Sequence, residues 1–196
     1  MSPITELIGG ARSYGWGALL TSTSFESIAT ATGTGSSGTI TFSSIPSTYQ
    51  HLQIRYLAKD TNTSATILSL DIRFNSDSGF NYARHYLYGD GSAATAAGDA
   101  NQSYWSPRFA LATSDASYNN IFSVGIIDIH DYASTTKNKT MRMINGFDYN
   151  VASTTSKINL QSGLWRSTNA INSITIQGST AFTTSSTFAL YGIKGA

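Results

Sequence analysis

The sequence predicts an all-β fold, an antiparallel, jelly-roll-like β-sandwich with an extended N-terminal arm. Three observations carry that expectation. Apolar and polar residues alternate with period two in one short run after another, the mark of strands with one buried face. Clusters of Gly, Asn, Asp, Ser and Thr separate the runs at the spacing of an all-β domain. No stretch carries the 3.6-residue period of a convincing amphipathic helix. About ten short strands result, and two packed antiparallel sheets bury one face of each most economically. No repeat of fixed period is present, which disfavours a propeller or a β-helix.

Met1 to Leu20, MSPITELIGGARSYGWGALL, stands apart as apolar and Gly-rich, with Tyr14 and Trp16 set among glycines. It lacks strand alternation and is too broken by Gly for a helix. Residues 1–20 therefore read as an arm and 21–196 as a single sandwich. Two readings of the arm stand: it packs across its own sandwich, or it anchors the chain to a neighbouring subunit or larger assembly. Ile8, Tyr14, Trp16, Leu19 and Leu20 are its candidate interface residues, since glycines let backbone approach closely while a ring fills a pocket.

The strands then follow in order. Ser24 to Ala31 and Gly38 to Phe42 flank a turn-rich Thr32 to Ser37 and read as a first hairpin. Gln50 to Lys59 puts Leu52, Ile54, Tyr56 and Ala58 on one face. Thr66 to Tyr88 is the clearest unit: Leu68, Leu70, Ile72 and Phe74 alternate with polar residues. Asn75 to Asn81 then turns the chain, and Tyr82 to Tyr88 reads as the returning strand. Gly89 to Ser103, rich in Gly, Ala and Ser, reads as a long surface loop. Trp105 to Ala112 reads as a strand that Pro107 confines to an edge or a bulge. Ser114 to Asn120 is turn chemistry. Ile121 to Asp131 is the most apolar strand, with Phe122, Val124 and Ile126 on one side and Ile127 and Ile129 on the other. Either Gly125 hosts a bulge there or both faces are covered. Lys139 to Phe147, Lys157 to Trp165, Asn172 to Gln177 and Thr187 to Ile193 complete the set.

Composition narrows the function classes. Charged residues are 12% of the 196, well under the roughly 25% of ordinary soluble domains. Such a surface suits extensive contact with neighbours or exposure outside a cell. A net charge of +1 with no basic run argues against nucleic acid and anionic membrane as partners. Hydrophobic residues at 40% and aromatics at 12% argue against disorder. Zero cysteines exclude disulfides, thiolate metal sites and a Cys nucleophile. No apolar run approaches the roughly 18 residues of a membrane span, and Gly9, Gly10 and Arg12 interrupt any signal-peptide core. The expectation is a chain made in a cytoplasm that, if it acts outside, leaves without a cleaved signal.

Motifs for chemistry are sparse. Asp128-Ile129-His130-Asp131 is the only crowding of carboxylate and imidazole, and it offers no third metal ligand. A strand end with a solvated His explains it. Asn75, Asp77 and Asn81 resemble an oxygen-rich cation loop only loosely, and a hairpin turn accounts for them. His51 and His85 stand apart. Lys137-Asn138-Lys139 reads as a solvated hairpin tip. No GxSxG elbow selects a nucleophilic Ser. No catalytic residue, metal site or cofactor is assigned. Aromatics near strand ends are the remaining signal: Tyr88, Tyr104, Trp105 and Tyr132 are candidate glycan or partner contacts, with a core or rim role as the plainer reading.

The phrases SFESIATATGTG, ITFSSIPSTYQHLQIR, LDIRFNSDSGFNYARHYLYGDG, IIDIHDYASTTKNKT, LQSGLWRSTNAINSITI and FALYGIKG occur in that order, after an IGGARSYGWG opening. Together they resemble a family of tailed-bacteriophage virion structural proteins, from about Ile8 to Gly195. The resemblance implies a non-enzymatic protein of the virion, made in the host cytoplasm, with other virion proteins as partners and a homotrimer as the favoured state. It offers no catalytic residues. Members resemble tail fibres, minor tail proteins and head decorations. The expected role is a surface-exposed tail fibre or other tail-associated appendage that contributes to host-surface recognition. A capsid decoration (cement) or head-fibre protein is the alternative, followed by a carbohydrate-binding module and, last, a hydrolase.

Overall fold

The computed structural model of the chain describes residues 24–63, 68–112, 120–150 and 155–195. Eleven strands run through them: β1 (Phe25–Thr32), β2 (Thr39–Phe42), β3 (His51–Ala58), β4 (Asp71–Phe74), β5 (Tyr82–Gly89), β6 (Ala94–Gln102), β7 (Ser123–His130), β8 (Lys139–Phe147), β9 (Lys157–Trp165), β10 (Ile174–Gln177) and β11 (Thr187–Ile193). A large sheet has the order β1-β11-β3-β7-β8-β9-β5-β6, and a small one the order β2-β10-β4. All neighbours within each sheet are antiparallel. No helix occurs among the described residues. The all-β sandwich read from the sequence is the observed fold.

Period-two patterning sets the core. Leu52, Ile54, Tyr56 and Ala58 of β3 all point inward and are buried, while Arg55 and Leu57 point out. Ile72 and Phe74 of β4, Ile40 and Phe42 of β2, and Ile174 and Ile176 of β10 make the inner face of the small sheet. They meet Ile127, Ile129, Met141, Met143, Phe188 and Leu190 of the large sheet in one cluster. Close approach shapes that core as well. A Cβ on Gly163 would sit 2.6 Å from the Trp105 indole, so the bare backbone of β9 makes room for the ring.

Several expected pairings are corrected. β1 does not pair with β2, nor β4 with β5. β1 pairs with β11, from Phe25 opposite Ile193 to Thr32 opposite Thr187. β2 and β4 flank β10, with Phe42 and Phe74 both opposite Ile174. Turn residues reverse the chain without specifying the sheet it re-enters, and both of these turns pass from one sheet to the other. Gly89 to Ser103 is not a loop. A turn at Asp90, whose carboxylate accepts from the Ser92 and Ala93 N–H groups, leads into β6. That strand pairs with β5 at the sheet edge, largely exposed, and so carries no hydrophobic alternation.

Trp105 to Ala112, expected as a strand, makes only isolated bridges: Trp105 to Ile72, Leu111 to Leu68 and Ala112 to Lys59. Pro107 has no N–H to donate, though its carbonyl accepts from Leu70, and Phe109 turns to a φ of +54°. β7 pairs with β3 and β8 without a register shift, so Gly125 hosts no bulge. Ile127 and Ile129 are its core face, whereas Val124 and Ile126 are exposed.

The small sheet covers only part of the large one. Residues 105–112 lie across the inner face of β8 and β9 and are held there by side-chain amides. Gln161 accepts from the Arg108 N–H at 2.9 Å and donates to the Arg108 carbonyl at 3.0 Å. Asn145 donates to the Phe109 carbonyl at 2.7 Å. Backbone that runs outside a ladder is thereby satisfied.

Ile72 is 1% exposed at the centre of the core. Ile72→Asp should destabilise the fold by more than about 4 kcal/mol, because the carboxylate has no partner there. Denaturant melts, or loss of soluble protein, would measure this. A native-like variant would show that the face is misassigned.

Candidate functional site

Polar side chains that could carry chemistry are tied into the fold. The Asp77 carboxylate accepts from the Gly79 N–H at 2.8 Å, Asn81 Nδ2 at 2.9 Å and Trp165 Nε1 at 2.7 Å. Asn75 spans to the other side of the same turn, donating to the Ala170 carbonyl and accepting from the Asn172 N–H. These residues close a turn and anchor a buried indole; the turn reading holds, but the turn joins strands of different sheets and is not a hairpin. Burial pushes the Asp77 carboxyl up, but the hydrogen bonds from Trp165, Asn81 and Gly79 outweigh it and hold the group below its ordinary range.

Lys139 is not a solvated tip residue. It is buried, and its ammonium donates to the carbonyls of Ser134, Lys137 and Thr168. Lys137 is the exposed member and pairs with Asp131 at 2.6 Å.

Asp128 and His130 do share the outer face of the large sheet, as their spacing predicts. Asp128 is taken up by Gln53 at 2.8 Å and Arg142 at 2.9 Å, while His130 packs edge-on to His51 with ring centres 4.9 Å apart. Among the described residues no three His, Asp or Glu side chains converge as metal ligands.

The four candidate aromatics sit in different surroundings. Trp105 is 1% exposed and Tyr132 0%, so their assignment as glycan contacts is corrected: both are core residues. Trp105 lies over Gly163, and the Tyr132 hydroxyl donates to the Pro46 carbonyl. Tyr88 is half-buried, edge-on to Phe109 at 4.6 Å. Tyr104 is half-buried with the Arg73 guanidinium 5.3 Å from its ring centre. Phe80, which the sequence offers only as part of a turn, is 70% exposed, the highest value among the described large hydrophobics. Its carbonyl and Asn101 both accept from Arg166. Ile8, Tyr14, Trp16, Leu19 and Leu20 lie outside the described residues.

The feature that sequence reasoning missed is the outer face of the large sheet. Registers place its side chains in rows across the strands. One row runs Arg55, Ile126, Ile144, Leu160, Leu87, Ala96. Its neighbour runs Leu57, Val124, Gly146, Ile158, Gly89, Ala94. A third, on the far side of the first, is polar: Gln53, Asp128, Arg142, Ser162, His85. Gly146 and Gly89 leave gaps between larger neighbours. A concavity of about 1180 Å³ opens over them, walled by Val124, Ile144 and Ile158 and rimmed by Asp90 to Ser92, Asp148 and Lys157. Its rim groups are engaged with each other: Lys157 lies 3.6 Å from Asp90, and Ser156 donates to Asp148 at 3.1 Å. The depression can hold apolar matter; it does not assemble an acid, a base and a nucleophile.

No protein-family model matches the chain, and no curated protein matches it in sequence. Among solved structures it is similar to a xylan β-1,4-xylosidase from Bacillus halodurans C-125, at 8% identity and a TM-score of 0.33 over 74% of this chain and 28% of that one. It is also similar to the tripod (BppUct-A-L) of the bacteriophage Tuc2009 baseplate, at 8% identity and 0.28 over 86% and 64%. A third is the CBM2 module of the evolved Dit of Lactobacillus casei BL23 phage J-1, at 11% and 0.28 over 89% and 81%. The chain thus spans less than two thirds of the first two.

The lowered Asp77 pKa has a signed consequence. Its stabilisation is present above the ordinary carboxylate range, near pH 4, and is lost as pH falls through the lower folded value. Asp77→Asn, which keeps an acceptor for Trp165 but no charge, should melt lower than the native chain at pH 7. The gap should close as the pH is taken below about 4. Thermal melts across pH measure it; a gap that stays constant would show that the charge contributes nothing.

Proposed function

We propose that the chain is a non-enzymatic structural protein of a tailed-phage virion, a surface-exposed tail fibre or other tail-associated appendage that works as an oligomer, with a trimer favoured. One observation carries the reading. Reactive-looking side chains such as Asp77, Lys139 and Gln161 are bonded to the fold itself, while the outer face of the large sheet exposes Val124, Ile126, Ile144, Ile158, Leu160 and Leu87. A surface of that kind works by contact. The sequence phrases that resemble virion structural proteins supply the setting, and the low charge density suits extended protein contacts, where charge is costly to bury. A capsid decoration or head-fibre protein is the alternative within the same class.

In this reading the Met1 to Leu20 arm, with Ile8, Tyr14, Trp16, Leu19 and Leu20, anchors the protein to the particle. Deleting residues 1–20 should abolish incorporation into virions, read as copy number by quantitative mass spectrometry of purified particles. Normal incorporation of the truncated chain would remove the anchoring role. Full-length copy number in small multiples marks a tail component, whereas a number that follows the capsid lattice marks a decoration.

A second reading, glycan recognition at the host surface, is favoured by Phe80: an exposed ring with Asn101 and Arg166 beside it suits stacking plus hydrogen bonding to a sugar. Binding of the purified protein to host envelope polysaccharide should fall at least about tenfold in Phe80→Ala, the loss of roughly 1.4 kcal/mol. Undiminished binding by that variant, or none by the native chain, would remove this reading.

A further inference from the structure

We propose that the two apolar rows on the outer face of the large sheet are the surface through which copies of this chain meet. The inference names an interface for the oligomer proposed above and rests on that reading for self-association alone, not for a place in the virion.

The rows are built for contact. Val124, Ile126, Ile144, Ile158, Leu160 and Leu87, with Leu57 at one end, are each 37% to 64% exposed. They stand on five adjacent strands, β3-β7-β8-β9-β5, whose mutual registers carry no shift, so the side chains form a regular surface rather than scattered spots. Together they set seven branched aliphatic side chains side by side on one face. The largest apolar patch of a typical monomer is about 300–600 Å² and is often functional. A stable interface needs about 800 Å² from each partner, so the flanking polar row would be covered together with the two apolar rows, as their rim.

The chemistry of the rows selects the occupant. Between Val124 and Leu87 they hold no aromatic ring, so a sugar finds no stacking platform, and no cation, so nucleic acid finds no phosphate partner. What fits is another aliphatic protein surface, packed face to face like the two layers of a sandwich. A second copy supplies one. Asp128 and Arg142 neutralise each other on one margin at 2.9 Å, and Lys157 lies against Asp90 on the other. Arg55, at the β3 end of one row, has no acidic partner among the described residues; its guanidinium donates to Gln53 and lies against Phe25 of β1 and Tyr191 of β11. The aliphatic stretch from Val124 to Leu87 itself therefore sets no like charges opposite each other when two copies meet. Among the described residues, nothing else covers the rows.

The test uses the full chain. Light scattering after gel filtration at micromolar concentration should show an oligomer for the native protein and a monomer for Ile144→Lys/Ile158→Lys, with the far-UV circular dichroism unchanged. A native chain that is monomeric overturns the proposal, as does a double variant that keeps the oligomer. Should the double variant fail to fold, the cysteine-free sequence provides another route. Ile158→Cys should cross-link between copies with a short bismaleimide, while Thr41→Cys, on the outer face of the small sheet, should not. Equal cross-linking at both positions, or none at Ile158→Cys, overturns the proposal. Mass spectrometry of virions reads the other claim separately. A chain found in particles that does not cross-link at Ile158→Cys refutes only this interface; a chain that cross-links there but is absent from particles refutes only the virion reading.

Discussion

The fold depends on solving an imbalance between its two sheets. Eight strands on one side face three on the other, so half of the large sheet's inner face needs another cover. Residues 105–112 provide it, and they bring irregular backbone against the buried face of the sheet. An unpaired peptide group there costs about as much as a lost hydrogen bond, so each one must find a partner. Asn145, Asn159 and Gln161 supply partners from adjacent positions on β8 and β9, reading the Arg108 and Phe109 backbone as a ladder strand would. Gln161 also donates to Asn145, so the three amides form one connected set. Among the described residues two buried side-chain atoms are left over, Asn159 Oδ1 and Trp105 Nε1. These amides allow a loop to do the work of a missing strand.

Shape follows the same constraint. A covering segment must sit close to the sheet, and its largest side chain, Trp105, can do so only because β9 has no Cβ at Gly163. Tyr56 similarly lies over Gly125 of β7 and reaches the covering segment, its hydroxyl donating to the Ala110 carbonyl at 3.0 Å. Large rings over bare backbone are a way to fill an interior to crystalline density without regular strands on both sides. Trp165 is also tied at its edge, by Asp77, and so joins β9 to the turn after β4.

Much of this was legible in the sequence, and the limits of legibility have physical causes. Period two located β3, β4 and β8 because each has one face in the core and one in water. It could not pair them: β4 finds β10 about a hundred residues later, and no local signal encodes so distant a partner. It missed β6 because that strand, with Ala, Gly and Thr largely exposed, has no buried face to announce. It misread residues 105–112, whose apolar residues are buried without a ladder. For the candidate site, aromatic identity was visible but burial was not. Trp105 and Tyr132 were drawn inward by neighbours far along the chain, while Phe80 was left outside by the tightness of its own turn.

β9 shows why the outer face escaped notice. In KINLQSGLW the aliphatic residues Ile158 and Leu160 hold one parity, and Lys157, Asn159, Gln161, Gly163 and Trp165 the other. Hydrophobicity alone would turn the aliphatics inward. The structure turns them outward, because the amides are needed against the covering segment and Gly163 is needed beneath Trp105. Since side chains alternate strictly along a strand, satisfying the interior assigns Ile158 and Leu160 to the surface. Polar residues at those two positions would have met the same internal demand at no loss to the core. Their aliphatic character, repeated in register on β7, β8 and β5, gives the single chain favourable cross-strand pairs on this face, and an assembly that made the outer face an interior would bury them as well.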